Sequence, residues 1–220
     1  EFGYALLRIN PSSEPSWHEV RQVLTVDGKK VQSQKKARTR LVLGLRAESD
    51  ISKRKLLDDL KRRGLPDSAT DFSLCLLLFR MSSLSNFDFS PTETRFLGAD
   101  EMQVYQFTQK QGMESFTIFE GKKIIHQALT GEIWVRKSDG LPLKIQLVSR
   151  QKLSDEDEIV DTGDVNYIRS EQGNLQPVSV IHRRTNGDLL IAENEFTYSN
   201  FKQFHSESEI NFATPDPPNL

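Results

Sequence analysis

From Gly131 to Phe212 the chain alternates short apolar and polar steps between turn dipeptides, with scarcely any helical periodicity. This pattern predicts an antiparallel meander. In the stretch from Leu141 to Val148 the residues Leu141, Leu143, Ile145 and Leu147 share one face while Lys144 and Gln146 take the other, which is the period of a half-buried strand. Asp139-Gly140 precedes it and Asn186-Gly187 divides a later pair, each supplying the positive φ that a tight hairpin requires.

Strands are expected at Phe87 to Phe89, Arg95 to Leu97, Met102 to Thr108, Ser115 to Glu120, Glu132 to Arg136, Leu141 to Arg150, Ile159 to Arg169, Gln176 to Arg184, Asp188 to Tyr198 and Lys202 to Phe212. Their regular spacing favours one large curved sheet over βαβ units. Near the start, Val20, Leu24 and Val26 lead through Asp27-Gly28 into Lys29-Lys30-Val31, a first hairpin. Two segments break the pattern. Glu48 to Arg63 reads as an amphipathic helix, with Leu56, Leu57 and Leu60 opposite Arg54, Lys55, Lys61 and Arg62, ended by Gly64 and Pro66. Asp71 to Met81 is apolar almost all round, and Ser68 with Asp71 is spaced as a capping box, so a buried helix is expected there, a central strand being the alternative.

At 220 residues a single domain over 1–220 is the simplest division, with 215–220 a proline-rich, disordered tail. Such a chain buries roughly 70% of its unfolded surface and needs no metal or disulfide staple. Hydrophobic content of 36% and charge of 27% fit an ordinary soluble chain, and no apolar run reaches the ~20 residues of a bilayer span. The opening residues carry no basic segment followed by an apolar one, so any export leader is expected to lie outside this sequence. Cys75, the single cysteine, sits among leucines, where a thiol is a packing group.

The formal net charge of −2 conceals an asymmetry: Val20 to Arg63 holds 14 Lys or Arg against 5 Asp or Glu, and the rest of the chain 15 against 26. A basic N-terminal patch that includes Lys29, Lys30, Lys35, Lys36, Arg38 and Arg40 could meet an anionic membrane surface or an acidic partner. Without interleaved aromatics it is no platform for nucleic acid.

The stretch Gly131-Glu132-Ile133-Trp134, followed by Asp139-Gly140-Leu141-Pro142-Leu143-Lys144, resembles the LolA/LppX-like superfamily of bacterial periplasmic and lipoprotein domains. There, an aromatic-bearing strand passes through a glycine turn into Gly-x-Pro-x-basic and a long strand. Gly173 to Val178 and Phe196 to Phe201 look like the continuation in uncharacterised secreted proteins of that superfamily. Arg136 and Lys137 depart from it, since relatives often carry an acid soon after the Trp. The resemblance implies a mainly β (α+β) fold: a large curved antiparallel sheet forming an unclosed barrel, a few helices covering its concave face, and between them an apolar cavity for acyl chains or other lipids.

No residue cluster names a reaction, and no cofactor is implied. His18, His126, His182 and His205 are scattered without metal-ligand spacing, and His182, between Val180 and Arg184, reads as a packed or hydrogen-bonded imidazole. Ser149 with Lys152 and Ser199 with Lys202 match Ser-x-x-Lys, but in strand territory that spacing does not place both side chains on one face. The acidic run Asp155 to Glu158 lacks the glycine and spacing of a calcium loop.

The aromatic and leucine content is what remains. Candidate cavity-lining residues are Leu57, Leu60, Phe72, Leu76 and Phe79 from the two helical segments. The strands contribute Phe87, Phe89, Phe107, Phe116, Trp134 and Phe196. The function expected is a non-enzymatic, exported bacterial domain, periplasmic or extracellular and monomeric, that binds a lipid or the acyl chain of a lipoprotein. The alternative is an interaction or sensor module with a packed core, docking an acidic partner through its basic patch.

Overall fold

The computed structural model of the protein describes residues 2–9, 16–26, 28–30, 62, 72–113, 116–120, 123–153, 158–171 and 173–202. Among the described residues thirteen strands are formed: β1 (Phe2–Ile9), β2 (Ser16–Val23), β3 (Thr25–Val26), β4 (Lys29–Lys30), β5 (Phe87–Leu97), β6 (Asp100–Gln109), β7 (Phe116–Glu120), β8 (Lys123–Gln127), β9 (Leu129–Arg136), β10 (Pro142–Lys152), β11 (Glu158–Arg169), β12 (Leu175–Asn186) and β13 (Leu189–Thr197). Seven of them make one antiparallel sheet in the order β13-β12-β11-β10-β9-β6-β5, which does not close on itself. The pairs β1-β2, β3-β4 and β7-β8 are separate two-stranded ribbons. The expected antiparallel meander is present, with tight turns at Gly140 (φ 72°) and Gly187 (φ 54°).

Register explains how the sheet builds its core. Because side chains alternate between faces, residues paired across the strands form rows. One row runs Pro91, Tyr105, Ile133, Ile145, Val165, Val180, Phe196 from β5 to β13. The next runs Phe89, Phe107, Gly131, Leu147, Gly163, His182, Asn194. Residues of both rows join a single hydrophobic cluster, so this is the core face. On the outer face the corresponding row is Val104, Trp134, Lys144, Asn166, Ser179, Thr197.

Helices covering the core face are not borne out among the described residues. Among the described residues the longest helical segments are a five-residue 3-10 turn, Cys75–Phe79, and a three-residue one, Leu84–Asn86. The first begins at Leu74 with no side-chain cap, and its backbone bonds run Cys75 N to Phe72 O and Leu77 N to Leu74 O, both 2.9 Å. So short a segment lacks the length for a stable α-helix, and tertiary contacts shape it instead. The Tyr167 hydroxyl of β11 donates to Ser73 O at 2.9 Å and accepts from Leu76 N at 3.3 Å, pinning the segment to the sheet. The residues of the expected helix at Glu48 to Arg63, apart from Arg62, lie outside the described residues, and with them Leu57 and Leu60. The same holds for the acids Asp155 to Asp157, for 203–212 of the last expected strand and for the tail at 215–220.

Several boundaries shift for identifiable reasons. β5 runs unbroken through Pro91, tolerated because β5 is an edge strand and the register slips between Pro91 and Thr94. The strand containing Trp17 pairs with β1, while Gly28 (φ 72°) lies in the turn from β3 into β4, Asp27 being outside the described residues. The β7-β8 ribbon is an excursion, since β6 and β9, which flank it in sequence, pair directly with each other.

Candidate functional site

The core face carries an aromatic floor. Phe79 from the 3-10 turn meets Phe107 at 4.9 Å between ring centroids, Phe87 at 5.0 Å and Phe89 at 5.9 Å, in tilted or edge-on arrangements that suit aromatic quadrupoles. Pairing places Phe89 opposite Phe107, and these two rings are 6.5 Å apart. Phe87 and Phe107 are buried, whereas Phe89 remains 38% exposed. The turn above them is half-buried along Leu76, Leu77, Leu78 and Phe79, with only Cys75 fully enclosed. Cys75 Sγ lies 3.3 Å from the Tyr167 hydroxyl, a packing position.

A second aromatic pair lies further along the sheet. Phe72 meets Phe116 of β7 at 5.3 Å and turns its edge toward His182 at 5.7 Å. Gly163 makes room for it: a Cβ there would fall 2.5 Å from Phe72 Cδ2 and 3.2 Å from Leu147 Cγ. The β7-β8 ribbon thus reaches the core face through Phe116, and again through Gln127, whose Oε1 accepts a hydrogen bond from Ser149.

Beside the aromatics runs a polar row: Ser149 on β10 pairs with Asp161 on β11, which pairs with Arg184 on β12. Asp161 is 1% exposed and His182 is fully enclosed. Asp161 Oδ1 lies 2.7 Å from His182 Nε2 and accepts from Arg184 Nε at 2.9 Å, while Oδ2 accepts from Arg184 Nη2 at 3.2 Å. Burial alone would push the Asp161 carboxyl up; the hydrogen bonds from His182 and Arg184 outweigh it and hold its pKa below the ordinary carboxylate value. His182 Nδ1 faces Asn194 Nδ2 at 3.2 Å, so the neutral tautomer with hydrogen on Nε2 satisfies both neighbours.

That arrangement bears on chemistry. A histidine oriented by an aspartate is two-thirds of a hydrolytic triad, and Ser149 pairs with the same aspartate. Here, however, both imidazole nitrogens are engaged by Asp161 and Asn194, and the Ser149 hydroxyl donates to Gln127. Ser149 and Lys152, three apart in a strand, fall on opposite faces, with Ser149 buried and Lys152 exposed. Ser149, Asp161, His182 and Arg184 are thus held in a structural hydrogen-bond network. Among the described residues no three His, Cys, Asp or Glu side chains are grouped to hold a metal ion.

Of the residues singled out from sequence, Phe79, Phe87, Phe89 and Phe107 gather into one group, and Phe72 and Phe116 into a neighbouring one. Leu76 and Phe196 pack on the same core. Trp134 does not belong with them. It lies on the outer face, opposite Val104 and Lys144 in register, its ring 5.1 Å from Arg95 Cζ and 5.4 Å from Lys144 Nζ, its Nε1 donating to Glu132 at 3.2 Å. Its sequence neighbours Ile133 and Val135 point inward instead. Arg136 and Lys137, the departures from the LolA-like pattern, pair with Asp100 at 3.1 Å and Glu101 at 2.7 Å across the β9-β6 junction. Of the basic patch, Lys29 and Lys30 are exposed in β4, and Lys35, Lys36, Arg38 and Arg40 lie outside the described residues.

Sequence reading missed Asp161, Arg184, Asn194, Gln127 and Tyr167. A signal existed for the first: Asp161 shares parity with Gly163, Val165 and Tyr167, so a charge stands at an inward position of an otherwise apolar strand face. No protein family, curated protein or solved structure matches this chain.

Proposed function

We propose that this chain is a non-enzymatic, exported bacterial domain, periplasmic or extracellular and monomeric, that shelters a lipid or the acyl chain of a lipid-modified protein against the core face of its open sheet. The observation that carries this reading is the floor of Phe79, Phe87, Phe89 and Phe107 beneath an apolar turn that is itself only half-buried. Leu76 to Phe79 present more greasy surface than their own packing consumes, and Met81 just beyond is 88% exposed. A flexible alkyl chain laid along such a surface gains ~0.8 kcal/mol for each methylene removed from water. The likeness of Gly131 to Lys144 to the LolA/LppX pattern supports the same ligand class. The engaged nitrogens of His182 support a binding role over a hydrolytic one.

Native mass spectrometry with lipid extraction of the purified protein, together with titration of a fluorescent fatty acid, tests this. Co-purifying acyl lipid and saturable binding that persists in high salt are expected. Repeated absence of both overturns it.

A further inference from the structure

We infer that the seam between β8 and β10 holds the polar head of the guest, and that Gln127 selects a neutral acyl carbonyl, an ester or an amide, over a free carboxylate; this rests on the lipid-binding reading above. Gln127 is 6% exposed, and its two amide atoms are used unequally. Oε1 accepts from Ser149, whereas Nε2 is buried and meets no acceptor among the described residues. A buried amide N–H left unpaired is costly, so the position calls for an acceptor.

The surroundings decide which one. Ser149 pairs directly with Asp161, and the charge of Asp161 is already answered by Arg184 and hydrogen-bonded by His182. A second carboxylate at Nε2 would add a negative charge beside that enclosed one, in a setting where like charges repel strongly. A neutral carbonyl oxygen accepts the same hydrogen bond without that penalty. The chain attached to it has an apolar path. Gln127 pairs with Phe116, which contacts Phe72. Ser149 pairs with Leu129, and the Leu129 N–H donates to Gln109 at 3.1 Å, the residue opposite Phe87. Head and tail positions therefore adjoin across the core face.

The test is displacement of a bound fluorescent fatty acid by methyl palmitate and by palmitate, from the unaltered protein and from Gln127→Leu. The unaltered protein should prefer the ester. Gln127→Leu should weaken methyl palmitate about tenfold, equivalent to ~1.4 kcal/mol, and change palmitate by less than twofold. Because that variant strands the Ser149 hydroxyl, the double variant Gln127→Leu with Ser149→Ala and the isosteric Gln127→Met are measured beside it, each checked for native circular dichroism. If the ester has no advantage, or both ligands weaken equally in every folded variant, the head-group assignment falls while acyl binding stands. If neither ligand displaces the probe and no probe binds, the lipid-binding reading falls and takes this one with it.

Discussion

The Phe72 ring rests on Gly163 so closely that a β-carbon at that glycine would stand 2.5 Å from Cδ2. The contact ties the segment preceding the 3-10 turn to the centre of β11, beside the enclosed His182.

Gly163→Ala should therefore destabilise the protein by about 1–3 kcal/mol, the usual cost of forcing a methyl group into a filled space. Pairing it with Phe72→Leu should recover part of that loss. Urea denaturation of the two single variants and the double checks this, and strictly additive losses would show that the two residues do not share the space.

Tyr167→Phe removes the hydroxyl that donates to Ser73 O and accepts from Leu76 N. A loss of about 1–3 kcal/mol is expected, since buried groups of the turn lose a partner. Hydrogen exchange should quicken most at Leu76, with the amides of β9 and β10 changed least.

Acid should loosen the polar row. Because the folded pKa of Asp161 lies below the unfolded one, the unfolded state takes up its proton at higher pH. The stability contributed by this group is therefore complete above the unfolded value of ~3.9 and is lost as pH falls towards the folded pKa. Asp161→Asn should lower stability at neutral pH by roughly 3 kcal/mol, as the buried ion pair with Arg184 is lost. It should also flatten the dependence of melting temperature on pH below about 4. An unchanged acid limb in this variant would assign that dependence to other carboxyl groups.

The two faces of the sheet should separate cleanly in a binding assay. Phe89→Ala, at a partly exposed position of the aromatic floor, should weaken a fluorescent fatty acid roughly tenfold, the equivalent of ~1.4 kcal/mol. Trp134→Phe, on the outer face between Arg95 and Lys144, should leave that affinity unchanged. Equal losses from both would place the ligand elsewhere.

What the sequence discloses here follows the strength of local patterns. The alternation through Leu143, Ile145 and Leu147, and the glycines at 140 and 187, made the meander legible because strand period and turn chemistry are local properties. The 3-10 turn was not legible: a run of leucines without alternation has no preferred face, and its conformation is imposed by Tyr167, over ninety residues away. Trp134 was assigned inward on its apolar character, although Glu132 and Arg136, two positions to either side, mark its face as outward. Which of the aromatic residues meet, and their division into two groups, depends on cross-strand register, which sequence alone leaves open. The buried Asp161 was readable from parity alone.

Because β6 and β9 are direct neighbours, the chain departs from the sheet after Gln109 and rejoins it at Leu129 without disturbing the ladder on either side. The β7-β8 ribbon is thus an insertion between two neighbouring strands, held to the core face through Phe116 and Gln127. Substitutions at its exposed positions should reach the proposed lipid site before they reach the seven-stranded ladder, which closes behind it.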